Sequence, residues 1–164
     1  MARVLIVGCG CRGRSLAATL RADGHAVRGT TRASSRRATL ASAGIDPWIG
    51  DPDRVGTLTG ALDNVTIVCW LLGSARGRTE SLRALHGPRL RAFCERLVDT
   101  TVRGLVYEAA GDVDGAVRAG GRRIVEEAAR TWEIPVHILD ATPPDHAGWA
   151  SAARAAVQKL LDPS

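Results

Sequence analysis

The sequence predicts an α/β fold: a doubly wound parallel sheet of about six strands, forming one domain. Three observations carry that prediction. Short apolar runs alternate with helical patterns along the chain, the fourth run is too continuously hydrophobic to have a wet face, and no linker, repeat or low-complexity segment intervenes. Alternation of this kind implies right-handed crossovers, with helices on both faces of the sheet. The 164 residues suit one domain, leaving nothing for a separate substrate domain, and can bury a core without staples. Aromatic residues are only 4% of the chain, so Leu, Val, Ile and Ala have to build that core.

Residues 3–7 (RVLIV) are a short apolar run ending at Gly8 and read as a buried strand. Residues 15–22 carry Leu16, Ala17 and Leu20 at helical spacing, and Asp23-Gly24 closes that helix. Residues 26–31 (AVRGTT) are the second strand, and Ser34 or Ser35 caps a helix running to Gly44. Residues 46–50 hold a short third strand, and residues 55–62 a short helix. Residues 65–72 (VTIVCWLL) suit the centre of a sheet covered on both sides. Residues 79–98 are helical with an interruption at Gly87-Pro88, and residues 102–107 are the fifth strand. A helix over 113–132 contains Gly120-Gly121, a weak point of roughly 1 kcal/mol per glycine relative to alanine. Residues 135–139 are a sixth strand, and an alanine-rich helix over 145–161, capped by Asp145, closes the chain.

The formal net charge is +5 with a pI near 9.7, and Lys159 is the sole lysine. The densest basic cluster is Arg28, Arg32, Arg36 and Arg37. No run of arginines is interleaved with aromatics, which argues against nucleic acid and leaves a phosphorylated ligand as the better partner. Of the four cysteines, Cys9 and Cys11 form a C-x-C pair with no second close pair or nearby histidine, so no metal site is expected. The chain opens on a strand without a signal peptide, and no apolar stretch approaches the roughly 20 residues of a membrane helix. A cytoplasmic protein without disulfides is the expectation.

Most of the chemistry lies in Gly8-Cys9-Gly10-Cys11-Arg12-Gly13. A G-x-G-x-x-G run means little alone, but here it follows a strand and opens a helix by residue 14. Gly8 permits the tight turn, Gly10 allows a pyrophosphate close to the backbone, and Gly13 lets helix and strand pack. The free N–H groups and positive dipole end of the helix then face phosphates, the mark of a dinucleotide site. The alternative is a glycine-rich turn without a ligand. An NAD(H) site carries Asp or Glu about 20 residues further on, bonded to the ribose 2′-hydroxyl. Here that stretch reads Gly29-Thr30-Thr31-Arg32, with no acid. Thr31 and Arg32 suit a 2′-phosphate, with Arg12, Arg36 and Arg37 as further donors, so NADP(H) is favoured over NAD(H). Arg36 and Arg37 could equally form a solvated helix face. Asp51, after the third strand, either meets the adenine amino group or caps the next helix. Leu71, Leu72 and Gly73 end the fourth strand, where they would line the adenosine and ribose.

The runs VLIVGCGCRG, LAATLRADGHAVRGTTR and GDPDRVGTLTGALDNVTIV resemble the atypical extended short-chain dehydrogenase/reductase superfamily, with its epimerase-like and NmrA-like members. The resemblance covers roughly the first 73 residues, and beyond them EIPVHILDA matches the strand that ends the core. It implies a Rossmann fold and binding of NADP(H) or NAD(H). Active members use a Tyr-x-x-x-Lys pair and a serine or threonine after the fifth strand, the tyrosine relaying a proton while nicotinamide moves a hydride. Here the only tyrosine is Tyr107, Gly111 stands four residues on, and Glu108-Ala109-Ala110 occupies the serine region. Such members also build a substrate pocket from an added C-terminal segment, whereas this chain ends at Ser164.

Three further residues are candidates for acid/base work. Tyr107 and Glu108 end the fifth strand on the ligand-facing edge, and His146 follows Pro143-Pro144-Asp145, where it either pairs with Asp140 or belongs to a helix cap. His137 reads as a satisfied core histidine, and His25 and His86 as turn residues. Trp48, Trp70, Trp132 and Trp149 read as packing residues, with Trp149 alternatively covering a pocket or a dimer contact. Two functions follow from the residues and the resemblance. One is a reductase or epimerase-like enzyme of unconventional chemistry, its substrate near Tyr107, Glu108 and the 140–149 loop, open to completion by a second copy in a homodimer. The other is a non-catalytic dinucleotide sensor or regulatory module, and a third reading is a partner subunit that donates its cofactor domain to a larger complex.

Overall fold

Strand β1 (Arg3–Val7) and strand β4 (Ile67–Trp70) are buried along nearly their whole length, because each is sandwiched between neighbours and covered on both faces. A computed structural model of the chain describes residues 1–140 and 145–163. With β2 (Ala26–Thr31), β3 (Asp46–Ile49), β5 (Gly104–Glu108) and β6 (Val136–Leu139), they form one six-stranded parallel sheet in the order β3-β2-β1-β4-β5-β6. The register sets Ile6 opposite Gly29 on one side and Cys69 on the other. The chain therefore reverses its direction of winding between β1 and β4, and the crevice above their carboxyl ends is where ligands of such sheets sit.

Successive side chains of a strand face opposite ways, and each face gathers its own core. Leu5, Val7, Val68, Trp70, Leu105 and Tyr107 point to one side, beneath α4 (Pro88–Leu97) and α5 (Gly115–Trp132). Val4, Ile6, Ile67, Cys69 and Val106 point to the other, beneath α1 (Cys11–Ala22) and α6 (His146–Leu161). Two short helices, α2 (Arg37–Ser42) and α3 (Thr79–Leu85), complete the set. Asp145 caps α6 through the Gly148 amide, and Asp114 caps α5 through the amides of Ala116 and Val117.

The structure departs from the sequence reading in three stretches. Helix α1 begins at Cys11, within the glycine loop. Neither Ser34 nor Ser35 caps a helix; the turn starts one residue earlier, from extended Ala33, and runs as a 3₁₀ segment Ser34–Arg36 into α2. Over 55–62 the chain makes two 3₁₀ turns, Val55–Leu58 and Gly60–Leu62, instead of one helix. The Trp48 indole N–H donates to the Thr57 carbonyl at 2.8 Å, a carbonyl that an α-helix would use within its own ladder, and its ring packs against Gly60. No helix among the described residues is long and apolar enough to cross a membrane.

Candidate functional site

A cleft of about 770 Å³ opens at the carboxyl ends of the strands, over the β1–β4 switch point. That volume lies in the range of small-molecule and cofactor sites. Its floor is the glycine loop, Gly8 to Gly13. Gly8 has φ +92°, a conformation open to glycine, and an added Cβ would lie 2.5 Å from the Leu71 carbonyl. At Gly13 a Cβ would lie 3.1 Å from the Gly8 carbonyl, which is the close helix–strand approach. Gly10 differs: a Cβ there would meet nothing within 4 Å, and the residue faces the cleft. Its φ of −88° is ordinary, so neither packing nor backbone requires glycine at this position. The free space above it is what a closely approaching phosphate needs. The first amides of α1 have no partner within the helix, Gly10 offers no capping side chain, and no acid sits in the first turn. The residues present fit a dinucleotide.

One wall is made by Thr30 and Thr31 at the end of β2 with Arg32 and Arg36 after it, and the next by Gly50, Pro52 and Asp53 beyond β3. Leu71 and Leu72 follow β4, and Glu108 and Trp149 close the far side. The sequence reading did not single out Ser74, Ala75, Arg76, Ser81, Leu82 and Leu85, which extend the cleft along the loop after β4 and onto α3. No pattern in the sequence marks them; the loop after β4 and the helix α3 that follows it bring them to the cleft. Cys9 and Cys11 part company. Cys9 is buried against Gly29 and its thiol is pushed up to about 11 by burial, whereas Cys11 is exposed.

Glu108 is the hub of the far side. Its Oε1 accepts from the Gly73 amide at 2.9 Å and its Oε2 from the Trp149 indole N–H at 2.9 Å. Arg12 stands 3.5 Å from the same Oε2, with its guanidinium carbon 5.5 Å from the centre of the Trp149 ring. Burial raises the proton affinity of Glu108 above the ordinary carboxylate, against the opposing pull of these donors and of the Arg12 and Arg118 charges.

Other expected site residues lie elsewhere. Tyr107 is fully buried on the opposite face from Glu108, and its hydroxyl contacts His86 Nδ1 at 2.6 Å, so it does not reach the cleft. His86 is a buried bridge as well as a turn residue: Nε2 donates to the Leu72 carbonyl at 2.9 Å, leaving Nδ1 to accept from Tyr107. Gly73 lies under Glu108 and against the Ala110 carbonyl, where any side chain would clash, and so serves loop packing in place of lining. Asp51 accepts from the Asp53 amide at 2.9 Å, and Asp53 takes the place at the cleft. His146 is exposed at the start of α6 and does not line the cleft. Asp140 pairs with Arg122 at 3.4 Å, and residues 141–144 of the loop between Asp140 and His146 lie outside the described residues. Arg28 is tied to Asp46 at the far end of β2, and Arg37 is exposed on α2, away from the lining. His137 is only half-buried and belongs to neither core.

No protein-family model matches the sequence, and neither does any curated protein. Solved structures do match by shape. The protein gox2253 superposes with a TM-score of 0.71 at 19% identity, over 84% of this chain and 50% of that one. UDP-glucuronic acid 4-epimerase from Bacillus cereus, in complex with NAD, gives 0.65 at 12% identity over 83% and 54%. Vestitone reductase from alfalfa gives 0.65 at 16% identity over 89% and 61%. The chain thus spans between half and two thirds of the length of these structures. At identities this low, likeness establishes the fold: the chain has the Rossmann fold of the epimerase- and reductase-like proteins that its glycine loop and GH-x-V-x-G-x-x-R pattern resemble.

Proposed function

We propose that the cleft binds NADP(H) in preference to NAD(H), as the dinucleotide module of an epimerase- or reductase-like protein whose proton chemistry does not run through a Tyr-x-x-x-Lys pair. The observation that carries the cofactor choice is the wall beyond β2, where Thr31, Arg32 and Arg36 line the cleft and no carboxylate does. Among the described lining residues the carboxylates are Asp53, beyond β3, and Glu108, the last residue of β5. A carboxylate at the β2 wall would repel a 2′-phosphate, whereas arginine forms paired, charge-assisted bonds to it. When bound, the dinucleotide supplies hydride transfer; the chain supplies the cradle, the 2′-phosphate wall and an acidic group, Glu108, at the other end.

Calorimetric titration with NADPH, NADP⁺, NADH and NAD⁺ tests this reading. Binding that favours the phosphorylated pair, and an Arg32→Ala loss at least tenfold larger for NADPH than for NADH, are the expected results. Equal losses for the two would remove Arg32 from the 2′-phosphate, and binding of neither pair would overturn the reading.

A second reading, a non-catalytic dinucleotide sensor, is favoured by one observation. Among the described residues lining the cleft there is no tyrosine, lysine or histidine, and the one tyrosine is sealed in the core. NADPH oxidation against a panel of carbonyl compounds separates the readings. Turnover that falls in Glu108→Gln supports the enzyme, and tight binding without turnover supports the sensor.

A further inference from the structure

Glu108 is a cleft residue whose side chain is only 4% exposed, and its charge has one ion-pair partner among the described residues. Two neutral N–H donors, from Gly73 and Trp149, hold its oxygens in place. Two cations approach it, from different helices. Arg118 of α5 is fixed on backbone, its guanidinium donating to the carbonyls of Val113 and Ala109. Arg12 of α1 is the one cation within ion-pair distance among the described residues, at 3.5 Å, and its side chain is 31% exposed. Arg12 also belongs to the first turn of α1, the turn whose amides have no partner within the helix.

We propose that binding of a phosphate-bearing ligand in the cradle is coupled, through Arg12, to protonation of Glu108. This inference rests on the reading of the cleft as a dinucleotide site. A pyrophosphate at the start of α1 brings two negative charges within reach of Arg12 and offers it paired, charge-assisted bonds, a stronger claim than a single contact at 3.5 Å. Drawing the guanidinium toward the phosphates leaves a buried carboxylate with dipolar partners alone, and places a new anion nearby. Both changes favour the neutral acid. Burial already pushes Glu108 in the same direction. Gly73 and Trp149 are both donors, so neither accepts the O–H of the acid, which is left for an acceptor in the cleft that Glu108 lines. The ligand-bound site then presents a carboxylic acid as hydrogen-bond donor, in a cleft whose described lining has no tyrosine to serve that purpose.

The test is calorimetry of the full chain with NADPH at pH 7, in buffers of equal pH and different ionisation enthalpy, which counts protons exchanged on binding. The 2′-phosphate has its own ionisation, common to all variants, so the quantity read is the difference between wild type and Glu108→Gln. Wild type is expected to take up more protons than Glu108→Gln, by an amount approaching one per ligand. Arg12→Gln, at a part-exposed side chain that does not hold the core, is expected to lose the same uptake with Glu108 intact, and it carries the test should Glu108→Gln fail to fold. An equal proton count in wild type and Glu108→Gln overturns the proposal, as does full uptake in Arg12→Gln. Absence of binding by any of the four nucleotides overturns the dinucleotide reading and this coupling with it, whereas binding without the difference overturns the coupling alone.

Discussion

A methyl group added at Gly8 would sit 2.5 Å from the Leu71 carbonyl oxygen, and one added at Gly10 would meet nothing within 4 Å. Two substitutions in one motif should therefore fail in different ways. Gly8→Ala is expected to lower stability by about 1–3 kcal/mol, from the positive φ and the clash, as read by denaturant unfolding. Gly10→Ala is expected to cost about 1 kcal/mol or less while weakening dinucleotide binding at least tenfold by calorimetry. Loss of stability without loss of binding in Gly10→Ala would show that the space above it is not the cradle. The glycine loop was legible in the sequence because its chemistry is local: three glycines, a strand before, a helix after. Tyr107 was not. Sequence places it beside Glu108 at a strand end, but strand neighbours face opposite ways, and nothing in the residues says which face carries the cleft. Tyr107→Phe is accordingly expected to leave nucleotide affinity unchanged and to cost about 1–3 kcal/mol of stability, since it strands the Nδ1 acceptor of buried His86.

Between elements, His86 links the end of α3 to β5 through Tyr107 and to the end of β4 through Leu72. Burial lowers its proton affinity, so the folded chain keeps the imidazole neutral where the unfolded chain takes a proton, below about pH 6.5. Stability is then full above that pH and falls as pH drops through the window beneath it. Glu108, shifted upward, acts with the opposite sign, losing stability as pH rises from the ordinary carboxylate range. The contribution of His86 is the slope of unfolding free energy between pH 7 and pH 5 that disappears in His86→Phe; an unchanged slope would refute it. Helix α5 shows a second element-scale effect. Sequence marks Gly120 and Gly121 alike as weak points, yet a Cβ at Gly121 would strike the Tyr107 hydroxyl, whereas one at Gly120 would find only the tip of Arg123 at 3.8 Å. Gly120→Ala is expected to stabilise by up to about 1 kcal/mol in thermal unfolding, and Gly121→Ala to destabilise. Strand and helix positions along the chain were readable from periodicity. The 3₁₀ turns over 55–62 were not, because the contact they make with Trp48 of β3 is a tertiary one that periodicity does not show.

At the scale of the molecule, alternation of strand and helix announced a parallel sheet covered on both faces, but the order β3-β2-β1-β4-β5-β6 is a matter of long-range pairing. The cleft depends on that order, since it lies where winding reverses. A ligand that binds only the folded chain stabilises all of it: NADPH at a hundred times its dissociation constant is expected to add about 2.7 kcal/mol and raise the melting temperature by about 5–10 °C. No shift at saturating NADPH would count against the cleft as its site. The walls of this cleft also come from the two extremes of the described chain, Arg12 from the first helix and Trp149 from the last, joined through Glu108. A ribosome delivers those pieces on the order of ten seconds apart. During that interval the nascent chain exposes the glycine loop without the far wall of the cleft, and the docking of α6 is what completes that wall.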